Sequence, residues 1–160
     1  MSSEDEHGTV DLVRVVDQES SFRIRVLGRQ APGVLPLHDS LDAEILVETS
    51  FVHGHLRIGF SPRHLERWAQ CLVALRAGQD IGWLDQGNGP TVRVEWPEDN
   101  DEIILVRVED ATGSGATVDV PLAVEEGWLD EQDALLAGVR QAWPSEVRET
   151  SPGAYEWRHR

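Results

Sequence analysis

His53-Gly54-His55 places two imidazoles at positions i and i+2, which on a strand sets both on one face within reach of a single metal ion. Ligation needs a third group, and His38, Asp39 or Glu48 could supply it across a loop or a neighbouring strand. The same face has a competing reading. Arg23, Arg25 and Arg57 with Glu44 and Glu48 form a cross-strand charge ladder, in which His53 and His55 are ordinary solvated residues. The ladder is preferred, so no metal or other cofactor is assigned, and a metal-dependent enzyme centred on His53 and His55 stands as an alternative. Glu98-Asp99-Asn100-Asp101-Glu102 has the acidity of a calcium loop without its spacing, central glycine or terminal bidentate glutamate, and reads as a solvated hairpin tip. There is no Gly-x-Ser-x-Gly elbow, and Cys71 falls within a helical apolar stripe, where a buried structural thiol is expected. Gly113-Ser114-Gly115 and Gly87-Asn88-Gly89 are too short for phosphate loops, and neither opens a helix. No catalytic residue is assigned, and the chain reads as a non-enzyme.

Charge says more than any motif. The net charge is −15, and all the basic residues are arginine, which suggests a GC-rich bacterial genome. Residues 1–80 hold twelve acids and eight Arg, a balance of −4; residues 81–160 hold seventeen acids and six Arg, a balance of −11. A field of that sign repels nucleic-acid phosphates and anionic lipid and steers a basic protein inward. The expected partner is therefore a basic protein, with neither nucleic acid nor membrane. Trp83, at a strand end, and Trp128, beside Glu125, Glu126 and Asp130, could anchor an arginine- or lysine-rich surface by burial and cation–π contact. Capping of the core is the preferred reading for both, as it is for Trp68 and Trp96. The partner-binding candidates are Trp83, Glu98, Asp99, Asp101, Glu102, Glu125, Glu126, Trp128 and Asp130.

These residues are positioned by a regular succession of elements. Alternating apolar residues predict strands near 11–17, 21–27, 42–49, 52–60, 80–84, 91–96, 102–109 and 116–122. Ser61-Pro62 starts a helix whose stripe is Leu65, Trp68, Leu72 and Leu75, with Gly78 as its left-handed cap. A second helix spans about 128–142 and stops at Pro144. The order is ββββ-α-ββββ-α, an α+β fold with one mainly antiparallel sheet of seven to eight strands, because hairpin-length connections exclude parallel crossovers. One helix is expected on a sheet face and the second at an edge or end. Two blocks of four strands and a helix hint at a pseudo-duplication. Residues 1–8 are expected to be a flexible start, 9–143 a single domain, and 144–160 a loose polar tail, although Tyr155 and Trp157 could dock. The lone Cys71 forms no intramolecular disulfide, the first residues are acidic where a signal peptide is basic, and no apolar run approaches a membrane span. A cytoplasmic location is expected, with the oligomeric state left open.

The stretch FRIRVLGRQAPGVLPLHDSLDAEILVETSFVHGHLRIGFSPRHLERW, followed by GWLD and GSGATVDVPL, resembles a family of uncharacterised proteins of GC-rich bacteria that carries a domain-of-unknown-function label. Its LDAEILV…SPRHLERW core is loosely similar to WapI-type immunity proteins of polymorphic toxin systems. The resemblance covers roughly residues 10–143, rests on strand and helix core positions, and transfers no catalytic residue. It implies a non-catalytic binding protein, and the expected role is that of an immunity protein that occludes a basic toxin with its acidic half. A regulatory or scaffolding module that uses the sheet face, at Arg23, Arg25, Glu44 and Arg57, is the alternative.

Overall fold

Phe22, Ile24 and Val26 alternate with Arg23 and Arg25, and this period of two makes β2 (Ser21–Arg29) a strand with one buried face. The computed structural model describes residues 9–85, 89–97 and 101–158. β1 (Val10–Val16) alternates imperfectly for a physical reason. Its register against β2 shifts between Asp11 and Val13, a bulge that lets the adjacent Leu12 and Val13 both reach the core. β3 (Leu41–Glu48) and β4 (His53–Phe60) complete an antiparallel sheet in the order β1-β2-β3-β4. The Thr49–Val52 connection is the expected tight hairpin, with Thr49 Oγ1 accepting the N–H groups of Phe51 and Val52.

Helix α1 (Pro62–Arg76) follows, with Ser61 at its N-cap and proline in its first turn. His64 completes a capping box, its Nδ1 accepting the Ser61 N–H at 3.0 Å. At the other end Gly78 has φ of 81°, and the Gln79 and Gly78 N–H groups return to the Ala74 and Leu75 carbonyls, which is a Schellman closure. β5 (Ile81–Trp83), β6 (Thr91–Glu95), β7 (Ile103–Glu109) and β8 (Thr117–Ala123) form a second antiparallel sheet in sequence order. Helix α2 (Trp128–Ala142) comes next. The α+β class and the ββββ-α-ββββ-α order are therefore as expected, but the eight strands lie in two four-stranded sheets where one was expected, because α1 separates the two runs of hairpins.

A third, two-stranded sheet, β9 (Val147–Ser151) with β10 (Ala154–Trp157), occupies the stretch expected to be a loose tail. Its anchor is the sequence-distant Asp39, whose carboxylate accepts the N–H groups of Glu146 and Val147 and pairs with Arg29 at 3.0 Å. Arg29 also donates to the Pro144 carbonyl and pairs with Glu146, while His38 meets the Trp157 ring edge-on at 4.8 Å. Polarity conceals this docking in the sequence because the anchor is a hydrogen-bond network instead of an apolar stripe.

The buried faces of both four-stranded sheets and both helices share one continuous core, with Phe60, Trp68 and Trp83 packed ring to ring. The helices also solve the edge problem, since an open strand edge exposes unpaired backbone groups. The β1–β2 register turns the Arg14 N–H and C=O away from β2. There the buried Gln132 of α2 takes both, Oε1 accepting the N–H at 2.9 Å and Nε2 donating to the carbonyl at 2.8 Å. On β5 the outward Gly82 carbonyl accepts the Cys71 thiol of α1 at 3.7 Å. Each helix thus covers the first strand of the other block. Cys71 is buried, and that burial raises its pKa, so it has the structural role the sequence suggests.

Candidate functional site: an acidic groove between the sheets

The β1–β2 turn, the end of β8 and the start of α2 meet around a groove of about 660 Å³. Asp17 brings them together. Its Oδ1 accepts the N–H groups of Glu19 and Ser20 within its own turn, and its Oδ2 accepts the Ala123 N–H of β8 at 2.9 Å. Burial works to raise the Asp17 pKa, but the three N–H donors outweigh it and hold the carboxyl below its ordinary value. A carboxylate that stays ionised here ties one sheet to the other.

The groove is lined by Asp17, Glu19, Glu125, Glu126 and Glu131, against Arg14 as the one cation among the described residues that line it. Arg14 sits 3.8 Å from Glu131, whereas Glu19, Glu125 and Glu126 have no ion pair among the described residues. The wall is partly apolar. Val16 is half exposed, and Trp128, half-buried, rests edge-on against Trp96 with ring centroids 6.0 Å apart. Small-molecule pockets are mostly apolar with few polar groups. A groove with five carboxylates is instead suited to a guanidinium or ammonium group, with Trp128 available to its face.

Several predicted residues converge on this place. Glu125, Glu126 and Trp128 line the groove. Glu102 is beside it, because its carbonyl accepts the Val124 N–H at 2.8 Å, and the exposed Asp101 precedes it. Glu98 and Asp99 lie outside the described residues. Asp130 is elsewhere, paired with Arg76 of α1 at 3.0 Å as part of a tie between the helices that includes Asp133. Trp83 corrects the expectation of a surface anchor. It is 0% exposed, and its Nε1 donates to the His64 carbonyl at 2.8 Å. Its position next to the polar Asp85-Gln86 suggests exposure, but the ring turns inward between Phe60 and Trp68.

Sequence reasoning missed Asp17, Glu19 and Glu131. The first two are on a turn more than a hundred residues from Glu125, and only the contact of that turn with the end of β8 makes them neighbours.

The histidine pair takes its place in the ladder. His55 Nε2 meets Glu44 at 2.6 Å and His53 lies 4.0 Å from Glu48, while Arg25 and Arg57 approach Glu44 and Asp42 at 3.8 Å. Asp11 of β1 pairs with Arg23 at 3.1 Å. His38 and Asp39 belong to the hairpin anchor, and among the described residues no three His, Cys, Asp or Glu side chains are grouped to hold a metal ion. No helix among them is long and apolar enough to cross a membrane.

Residues 10–144 match the model of a family of unknown function, DUF5959, and the chain belongs to that family. No curated protein and no solved structure matches it.

Proposed function

We propose that this chain is a non-catalytic binding protein that receives a basic segment of a protein partner in the acidic groove, and that it serves as an immunity protein occluding a basic toxin. The observation that carries the reading is the gathering of five carboxylates and one arginine around a single concave surface, from segments far apart in the chain. Occlusion requires complementary shape and charge and no bond-making step. A negative field also raises the rate at which a cationic partner arrives, which suits neutralisation of a toxin. The loose similarity of LDAEILV…SPRHLERW to WapI-type immunity proteins supports the same role.

A direct test is fluorescence anisotropy with a labelled peptide of repeating Arg-Ser-Gly units, titrated at 50 and 300 mM salt. The proposal expects saturable binding that weakens at least tenfold at the higher salt, as screening shortens from about 14 Å to about 6 Å. Addition of the peptide should also quench or shift Trp128 emission. Binding indifferent to salt, or absent at millimolar peptide, rejects the electrostatic groove.

A further inference from the structure

Apart from β4, each outer edge of the large sheets has an occupant for at least one outward backbone group. Gln132 serves β1, Cys71 serves β5, and on β8 the Ala123 N–H goes to Asp17 while Pro121 has no N–H to offer. β4 differs. The Thr49–Val52 hairpin bond and the β3–β4 register turn the backbone N–H and C=O of His53, His55 and Arg57 away from β3. Among the described residues nothing bonds to them. Their side chains stand well out, 76%, 53% and 60% exposed.

Charge on the outer face of this sheet alternates strand by strand. Asp11 is on β1, Arg23 and Arg25 on β2, Asp42, Glu44 and Glu48 on β3, and His53, His55 and Arg57 on β4. Arg14 departs from the pattern and turns to Glu131 of α2. Carboxylates thus alternate with arginines or imidazoles from strand to strand, and the series stops on β4, which carries Arg57 and two imidazoles and has no further strand paired to it among the described residues.

We infer that β4 accepts an extended acidic segment of another protein as a fifth strand, its backbone bonding to His53, His55 and Arg57 and its carboxylates continuing the alternation. Main-chain bonds would supply affinity and side-chain charge the selectivity, as in other strand additions. A second copy of this chain fits less well. Antiparallel self-pairing about Leu56 sets His55 across from Arg57 twice and brings together two chains of net charge −15. An acidic peptide also meets the molecule's overall negative field, but at 0.15 M salt that field fades over about 8 Å, whereas β4 contacts are direct. This surface is separate from the acidic groove, so either reading can fail without the other.

The test uses labelled ten-residue peptides that alternate Glu with Thr or Lys with Thr, read by anisotropy at 0.15 M salt and by amide hydrogen exchange of the intact protein. The Glu-Thr peptide is expected to bind at least tenfold more tightly than the Lys-Thr peptide and to protect the amides of His53, His55 and Arg57. Arg57→Glu should weaken it at least tenfold. His55→Pro should abolish binding with the melting temperature largely retained, because the lost N–H makes no bond within the β3–β4 ladder. If that proline variant unfolds, Arg57→Glu and the exchange pattern decide. Equal binding of the two peptides, no binding of the Glu-Thr peptide, or protection confined to other strands overturns the inference. So does a dimer that His55→Pro splits without any effect on peptide binding.

Discussion

His64 controls the start of α1 through one lone pair. Its Nδ1 can accept the Ser61 N–H only while that nitrogen is unprotonated, and burial first, then the nearby Arg67, lowers its pKa. A histidine whose folded pKa lies below its unfolded value contributes stability that is present above about pH 6.5 and declines as the pH falls below it. Chemical denaturation at pH 7 and pH 5 should therefore show a loss at the lower pH that His64→Gln reduces, since the amide oxygen can accept the same N–H without titrating. An equal loss in both proteins would separate the cap from the acid sensitivity. Asp17 acts in the same direction at lower pH. Its depressed pKa contributes stability that is fully present above about pH 4 and is lost as the pH falls through the folded value. Asp17→Ala removes the acceptor for three N–H groups and should cost about 1–3 kcal/mol in urea unfolding. A change below about 0.5 kcal/mol would mean that water replaces the carboxylate freely.

At the scale of elements, the helices stabilise the fold as much by covering edges as by burying apolar faces. Gln132 is the clearest case, a buried polar side chain that behaves as a neighbouring strand would toward Arg14. Gln132→Met keeps the volume and leaves two backbone groups unpaired under the helix, so it should destabilise by about 2–4 kcal/mol. A neutral result would show that the α2–β1 contact is apolar in origin. The C-terminal hairpin makes the opposite prediction. Asp39→Ala removes its anchor, so hydrogen exchange in residues 147–157 should speed markedly while the amides of β2 and β3 stay protected. Core exchange that speeds up in step with the hairpin would indicate one cooperative unit instead.

Strands and helices were legible in the sequence because their signals are local. A period of two marks β2 and β4, and Ser61-Pro62 and Gly78 bracket α1. The β9–β10 hairpin left no such mark, for its partners Asp39 and Arg29 are remote and polar. Trp83 was misplaced for the same reason, as the direction of a ring at a strand end depends on what Phe60 and Trp68 leave vacant.

On the scale of the whole molecule, acids from both halves of the chain meet where the two blocks join. Glu125 and Glu126 were readable as an acidic pair beside a tryptophan, but the groove also needs Asp17 and Glu19 from the first block. The seam arises because each block's helix crosses to the other and the β1–β2 turn of the first meets the last strand of the second. The surface therefore carries two separate chemistries, an acidic groove at the seam and a cationic open edge on β4. The groove is the central claim, and a matched pair of charge reversals tests it most directly. Glu125→Lys with Glu126→Lys changes the groove, whereas Glu66→Lys with Glu109→Lys makes the same change of net charge on α1 and at the opposite end of β7. With the Arg-Ser-Gly peptide at 50 mM salt, the groove pair should weaken binding at least tenfold and the distant pair less than threefold. Equal losses from the two pairs would contradict the account, because they would assign binding to overall charge with no defined site.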